Sequence, residues 1–144
     1  MVRLWLAGAV LAVGCAGRQI PETRAIAGEG AEVEISGLVE QALEADARGE
    51  QADSLYAPHA VVIADGAVRR LPPRFAGVIG RDGEVAITNT QMEIRGPLSW
   101  GDLEYRWVSN RSNRAQLARA SFVAAPAQGR RGWWIVQLHS STSR

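Results

Sequence analysis

The spacing of apolar residues changes from a helical period to a two-residue period near Pro58. Before this point, apolar residues recur three and four positions apart, at Ile35, Leu38, Val39, Ala42 and Leu43. The polar residues assigned to the solvent side are Glu40, Gln41, Glu44 and Asp46. This pattern predicts an amphipathic helix over residues 32–47. A second short helix, from Glu50 to Tyr56, is predicted to end before Pro58, because a residue that precedes proline is disfavoured in the helical region.

After Pro58 the sequence predicts β-strands joined by short turns. The strands are predicted at residues 60–63, 75–79, 84–95, 99–108, 117–125 and 133–141. In the fourth of these, Leu103, Tyr105 and Trp107 share one face, as in an antiparallel strand with one side buried. In the third strand the apolar positions switch parity, which predicts a bulge near Asn89 and Thr90.

This order of elements favours an α+β fold in which a curved antiparallel sheet wraps around the N-terminal helices. The chain has 144 residues and is 47% hydrophobic, which suits one domain with its own core. The 16 basic residues nearly balance the 15 acidic ones, so no nucleic-acid partner is expected. The single cysteine excludes an internal disulfide, and the two separated histidines predict no metal site. No cofactor is expected either.

The first segment, MVRLWLAGAVLAVGCAG, has a positive start and an apolar stretch too short to anchor the chain by spanning a bilayer. It closes on small residues before Cys15 and resembles the lipobox of bacterial lipoprotein precursors, although Ala12 stands where leucine is usual. The resemblance implies cleavage before Cys15 and attachment of lipid to its sulfur. The alternative is a buried apolar element with an incidental cysteine, which the unbroken apolar run and the lack of an amphipathic period disfavour.

We therefore expect a signal peptide over residues 1–14, the lipidated Cys15 with a flexible tether over residues 15–31, and a folded domain over residues 32–144. The tether is predicted from its glycine, proline and charged residues. The lipid would hold the protein in the bacterial cell envelope, with the domain on the periplasmic or extracellular side of a membrane.

Two stretches resemble the NTF2-like superfamily. Residues 42–62, ALEADARGEQADSLYAPHAVV, resemble its opening helix and first strand, and residues 132–141, GWWIVQLHSS, resemble the last strand of its SnoaL-like, ketosteroid-isomerase-like branch. The resemblance covers residues 32–143 and implies a cone-shaped fold with a pocket at its open end, commonly in a homodimer. Two prolines between Arg69 and Arg74 argue against the third helix that is usual in the family.

Proton abstraction of the ketosteroid isomerase type is not expected. The position of that enzyme's carboxylate base matches Ala64, with Asp65 adjacent, and the apolar face of the first helix offers no tyrosine or aspartate. Asp65 with Gly66 is more simply a turn.

The last strand is the place where the sequence predicts a ligand site. Gln137 and His139 extend a face that begins with Trp133, so they are expected to line a cavity, with Tyr105 and Trp107 from the neighbouring pattern. The alternative is that His139 and Gln137 only satisfy nearby polar groups or lie near a solvent-exposed end of the strand, and that the aromatic residues are core. Trp100, on the opposite parity, is a candidate for a dimer interface.

Three functions are compatible with these features. The first is a tethered domain that binds a small, partly apolar molecule or a partner protein without catalysis. The second is a SnoaL-like enzyme (isomerase, cyclase or hydrolase) that acts on a small organic substrate through His139, with Asp65 as a further candidate. The third is an envelope protein with a purely structural role.

Overall fold

A computed structural model describes residues 30–143 of the chain. The predicted signal peptide, Cys15 and most of the tether lie outside the described residues. The elements are α1 (Ala31–Arg48), a 3-10 turn (Asp53–Leu55), β1 (Tyr56–Ala64), β2 (Ala67–Val68), β3 (Gly83–Arg95), β4 (Leu98–Ser109), β5 (Ala115–Pro126) and β6 (Trp133–Thr142). The six strands form one sheet in the order β2-β1-β6-β5-β4-β3. This arrangement confirms the α+β class.

The helix α1 matches the prediction for residues 32–47 and ends at Gly49. Gly49 adopts a left-handed conformation with φ 66°, and the next amide, of Glu50, donates to the carbonyl of Ala45 at 2.8 Å. Glycine suits this position because it has no Cβ to clash in that conformation. The predicted second helix is wrong beyond the short 3-10 turn, because β1 begins at Tyr56 and carries Pro58 within it.

The sheet is mixed and curls around α1. All neighbouring strands are antiparallel except β1 and β6, which run parallel, so the prediction of a wholly antiparallel sheet is wrong at that pair. The helix contacts both β6 and the edge strand β3. Those strands are three strand spacings apart, roughly 14 Å, so the helix packs across the part of the sheet between them.

The predicted bulge in β3 is confirmed one residue from its expected place. The pairing with β4 shifts between Ile87 and Asn89, which leaves Thr88 as the extra residue. The inner face of β4 is also as predicted, with Leu103, Tyr105 and Trp107 buried against the helix and the neighbouring strands. The parity change lets β3 place apolar side chains inward along its whole length, at Val85, Ile87, Met92 and Ile94.

The predicted strand at residues 75–79 is not a strand, although its side chains are buried. Phe75, Ala76 and Val78 lie in an irregular segment between β2 and β3, and that segment enters the space between the helix and the sheet. Side chains rather than a neighbouring strand satisfy its backbone. The amide of Ala76 donates to the hydroxyl of Ser140 at 2.8 Å, and the carbonyl of Ala76 accepts from the hydroxyl of Tyr105 at 2.6 Å.

Within residues 30–143, the one α-helix is too polar along its length to qualify as a membrane-spanning segment.

Candidate functional site

A bulge at Val136 places Gln137 and His139 on the outer face of the sheet. The pairing of β6 with β5 shifts at this residue, so the in-and-out alternation moves by one position. Ile135 and Leu138 are buried, whereas Gln137 and His139 are exposed. The expectation that these two polar side chains point into an enclosed hollow is therefore wrong, because it assumed an unbroken alternation.

Asp65 lies in the turn after β1, where it is hydrogen-bonded to Thr142 and does not form an acid–base pair with His139. It lies just after β1 with a positive φ of 49°, and its carboxylate accepts from the amide of Thr142 at 2.8 Å and from its hydroxyl at 3.1 Å. Among residues 30–143, no hydrogen bond links Asp65 with His139. These contacts join the end of β1 to the end of β6.

The three aromatic residues predicted to line a ligand site lie in the core. Tyr105, Trp107 and Trp133 are buried, and none of them lines either of the two cavities described below. The ring of Phe75 packs edge to face on Tyr105, with 5.7 Å between the ring centroids. The segment that carries Phe75 thus occupies the space where the sequence predicts a pocket.

Asp46 is a buried carboxylate at the last turn of α1. It is only 2% exposed, and its Oδ2 atom accepts hydrogen bonds from the backbone amides of Arg74 and Phe75, the second at 2.6 Å. Burial raises the pKa of Asp46 to about 6, against the opposing effect of these amides and of the Arg74 guanidinium. Asp46 therefore changes charge in the range in which enzymes use general acids and bases.

A large open cavity, about 930 Å³, lies beside the first half of β1. We call it the β1 pocket. It is lined by the 3-10 turn, by residues 56–62 of β1, by Val68 of β2, by Arg69, Arg70 and Arg74 after β2, and by Arg130 and Trp134 near the start of β6. Between the pairs Tyr56–Ile135 and Val61–Gln137, β1 has four residues where β6 has one. Residues 57–60 therefore depart from the regular pairing at the pocket wall.

Arg74 is the buried cation of this pocket. Its side chain is 8% exposed, its Nη2 atom donates to the carboxylate of Asp53 and to the carbonyl of Arg70, the second at 3.1 Å, and its guanidinium stacks 4.6 Å from the ring centre of Tyr56. Within the described part of the chain, its Nε and Nη1 atoms have no hydrogen-bond partner. Because guanidinium carries five N–H donors, Arg74 keeps donors for another group.

The charge of the β1 pocket is strongly positive. Asp53, the one acidic residue that residues 30–143 contribute to its wall, is paired with Arg74. No carboxylate of residues 30–143 lies within 4 Å of the guanidinium groups of Arg69, Arg70 or Arg130. Arg130 donates to the carbonyl of Ser54 and lies 5.2 Å from the ring centre of Trp134. Three arginine charges are thus left without a carboxylate.

A second cavity, about 300 Å³, adjoins Asp46. Its wall includes Gln51, Pro72 and Arg81. In the described range, no three histidine, cysteine, aspartate or glutamate residues cluster in a way that could hold a metal ion.

The two most distinctive site residues, Asp46 and Trp134, were not predicted as such. Asp46 was assigned to the solvent side of α1, which is wrong, although it follows Ala42 by four residues and Val39 by seven and therefore shares their buried face. Trp134 was expected on an apolar strand face, and nothing in the spacing indicated that it would lie beside Arg130 on the wall of a pocket.

Comparison with solved structures identifies the architecture. An NTF2-like superfamily protein from Salmonella enterica matches with a TM-score of 0.63 and 15% identity, over 81% of this chain and 93% of that one. The chain has the NTF2-like fold. A proposed dehydratase of the NTF2-like family from Streptomyces avermitilis matches this NTF2-like domain with a TM-score of 0.59 and 17% identity, over 80% and 97% of the two chains. A proposed ketosteroid isomerase from Parabacteroides distasonis matches with a TM-score of 0.55 and 11% identity, over 76% of this chain and 86% of that one.

No protein-family model matches the sequence, and no curated protein matches it either. At identities of 11–17%, the structural matches establish the fold of the NTF2-like domain and leave its ligand and chemistry to be argued from its own residues.

Proposed function

We propose that this protein is a lipid-anchored component of the bacterial cell envelope whose NTF2-like domain binds a small, partly apolar molecule in the β1 pocket without catalysing a reaction. The observation that carries the proposal is the pocket itself, which combines guanidinium groups with apolar residues such as Val61 and Trp134. The space between helix and sheet is filled by Phe75 and Val78, so the β1 pocket is the larger opening for a ligand.

The anchor part of the proposal rests on the sequence around Cys15 and on the tether that follows it. Replacing Cys15 with serine is expected to abolish lipid attachment, because the thioether requires the sulfur. Metabolic labelling with a radioactive fatty acid, followed by detergent extraction of bacterial membranes, checks this. The wild-type chain should carry label, and the Cys15→Ser chain should carry none. Equal labelling of both chains would disprove the anchor.

The binding part is tested by native mass spectrometry of the full-length protein purified in detergent from bacterial cells. A retained small molecule whose release follows substitution of Trp134 or Val61, but not of Val108 on β4, which does not line the pocket, supports the proposal. A mass equal to that of the protein alone, together with unchanged melting temperature in a metabolite screen, would contradict it. Capture of a protein chain instead would favour the partner-protein alternative.

A second candidate, an acid–base enzyme, is favoured by Asp46 rather than by His139 and Asp65. Its Oδ1 atom accepts no hydrogen bond within residues 30–143, and Asp46 borders the 300 Å³ cavity. The proposed dehydratase and ketosteroid isomerase among the structural neighbours make proton transfer at carbon the class to test. Deuterium exchange from heavy water into a panel of small ketones, catalysed by wild type but not by Asp46→Asn, would support this candidate over simple binding.

The proposal includes a homodimer, which the family resemblance predicts. Trp100 is 39% exposed and shares the outer face of the sheet with His139 and Val61. Light scattering from the full-length protein should give twice the chain mass, and Trp100→Glu should reduce it. A single-chain mass for wild type would contradict the dimer.

A further inference from the structure

We infer that the β1 pocket recognises an organic anion, in which a carboxylate or phosphate ester is held by arginine side chains and an apolar body lies along the wall. This inference rests on the proposed function, because it names the ligand class of the same pocket. The starting observation is the charge imbalance, since one carboxylate faces four guanidinium groups and is already paired with Arg74.

Arg74 is built to receive the anionic group. Its position is fixed by Asp53, by the carbonyl of Arg70 and by the ring of Tyr56, so little side-chain freedom is left to lose when a ligand binds. Its Nε and Nη1 atoms, which have no hydrogen-bond partner among residues 30–143, can each donate a charge-assisted hydrogen bond to an anionic oxygen. The hydroxyl of Tyr56, buried beside this guanidinium, has no hydrogen-bond partner among the described residues.

The remaining wall decides which anion fits. Arg69 and Arg70 are exposed at the mouth, where they attract an anion from solution. Trp134 gives the wall a flat aromatic surface and Val61 gives it an aliphatic one. Inorganic phosphate has no apolar part that could cover these surfaces, so they would stay exposed to water. The geometry therefore selects an anion attached to an apolar group. Two kinds of molecule combine an anion with an apolar group in this way: free aromatic or aliphatic acids, and lipids with a phosphate headgroup.

Calorimetric titration of the full-length protein tests the inference with four probes: phenyl phosphate, dihexanoyl phosphatidic acid, inorganic phosphate and the neutral benzyl alcohol. Phenyl phosphate should bind, and benzyl alcohol should bind at least tenfold more weakly. The double variant Arg69→Ala/Arg70→Ala should weaken phenyl phosphate at least tenfold. Arg106→Ala, which removes an exposed arginine from the outer face of β4, should leave it unchanged. Circular dichroism checks that both variants are folded.

The probes also separate the sources of the anion. Tighter binding of phenyl phosphate than of dihexanoyl phosphatidic acid indicates a free apolar anion, and the reverse order indicates a lipid that carries a phosphate headgroup. Any of three results would overturn the inference. Benzyl alcohol could bind as tightly as phenyl phosphate, Arg106→Ala could weaken phenyl phosphate as much as the double variant does, or no anion could bind at millimolar concentration. If native mass spectrometry then finds a retained neutral ligand, the proposed binding function survives and only the anion is wrong.

Discussion

Phe75→Ala is expected to destabilise the protein by about 3–5 kcal/mol, the usual cost of truncating a buried phenylalanine. The ring is 2% exposed and packs edge to face on Tyr105, which is itself fully buried. The backbone amides of Phe75 and of Arg74 before it donate hydrogen bonds to Asp46. The segment is therefore held in place and cannot collapse into the cavity that the truncation would leave. Chemical denaturation monitored by far-UV circular dichroism measures the change.

Ile79→Ala is the matched control for Phe75. It lies four residues later in the same segment, and its side chain is 63% exposed. A change of roughly 0.5 kcal/mol or less is expected for such a surface position. If Phe75→Ala proves as mild as the control, the segment does not plug the space between helix and sheet, and that space becomes a ligand site after all.

The parts of the fold that follow from local periodicity could be predicted. Helix α1 has an apolar stripe and a glycine stop, and β4 alternates without interruption, so each specifies its own buried face. The parity switch in β3 even predicted the bulge, since a strand that keeps one face buried must absorb the extra residue.

The candidate site could not be predicted, because each of its features depends on contacts between distant residues. The bulge at Val136 leaves no mark in the apolar pattern, since Trp133 to Val136 are apolar at every position. The irregular segment around Phe75 has the apolar sequence of a buried strand because its side chains are buried. Its backbone amides are bonded by distant side chains: Asp46 is 29 residues from Phe75, and Ser140 is 64 residues from Ala76. Sequence spacing alone cannot assign such partners.

The β1 pocket illustrates the same limit. Arg69, Arg70 and Arg74 are close in sequence, but Arg130 and Trp134 come from the last hairpin and join them only through the parallel pairing of β1 with β6. The near balance of charge over the whole chain also concealed a local excess of arginine. Net charge therefore excluded a nucleic-acid stripe but gave no information about a small anionic ligand.

The stability of the wild-type protein is expected to fall as the pH rises from about 4 to about 6, by about 3 kcal/mol from Asp46 alone. Burial raises the pKa of Asp46 to about 6, so at pH 5 the folded state keeps a proton that the unfolded chain has released. Folding then becomes less favourable with increasing pH until Asp46 is ionised in both states. The size follows from a shift of about two pKa units at about 1.4 kcal/mol each.

Asp46→Asn should remove this dependence, and it should be more stable than wild type at pH 7 and about equal at pH 4. The asparagine amide oxygen can replace Oδ2 as acceptor for the amides of Arg74 and Phe75, without placing a charge in the core. Asp102→Asn, an exposed change on β4, is the control and should alter stability by roughly 0.5 kcal/mol or less at either pH. A wild-type curve parallel to that of Asp46→Asn would show that Asp46 has the same pKa in the folded and unfolded states, and would contradict the prediction. If the variant is the more stable protein at pH 7, the ionised carboxylate of Asp46 works against folding, because burial favours its neutral form.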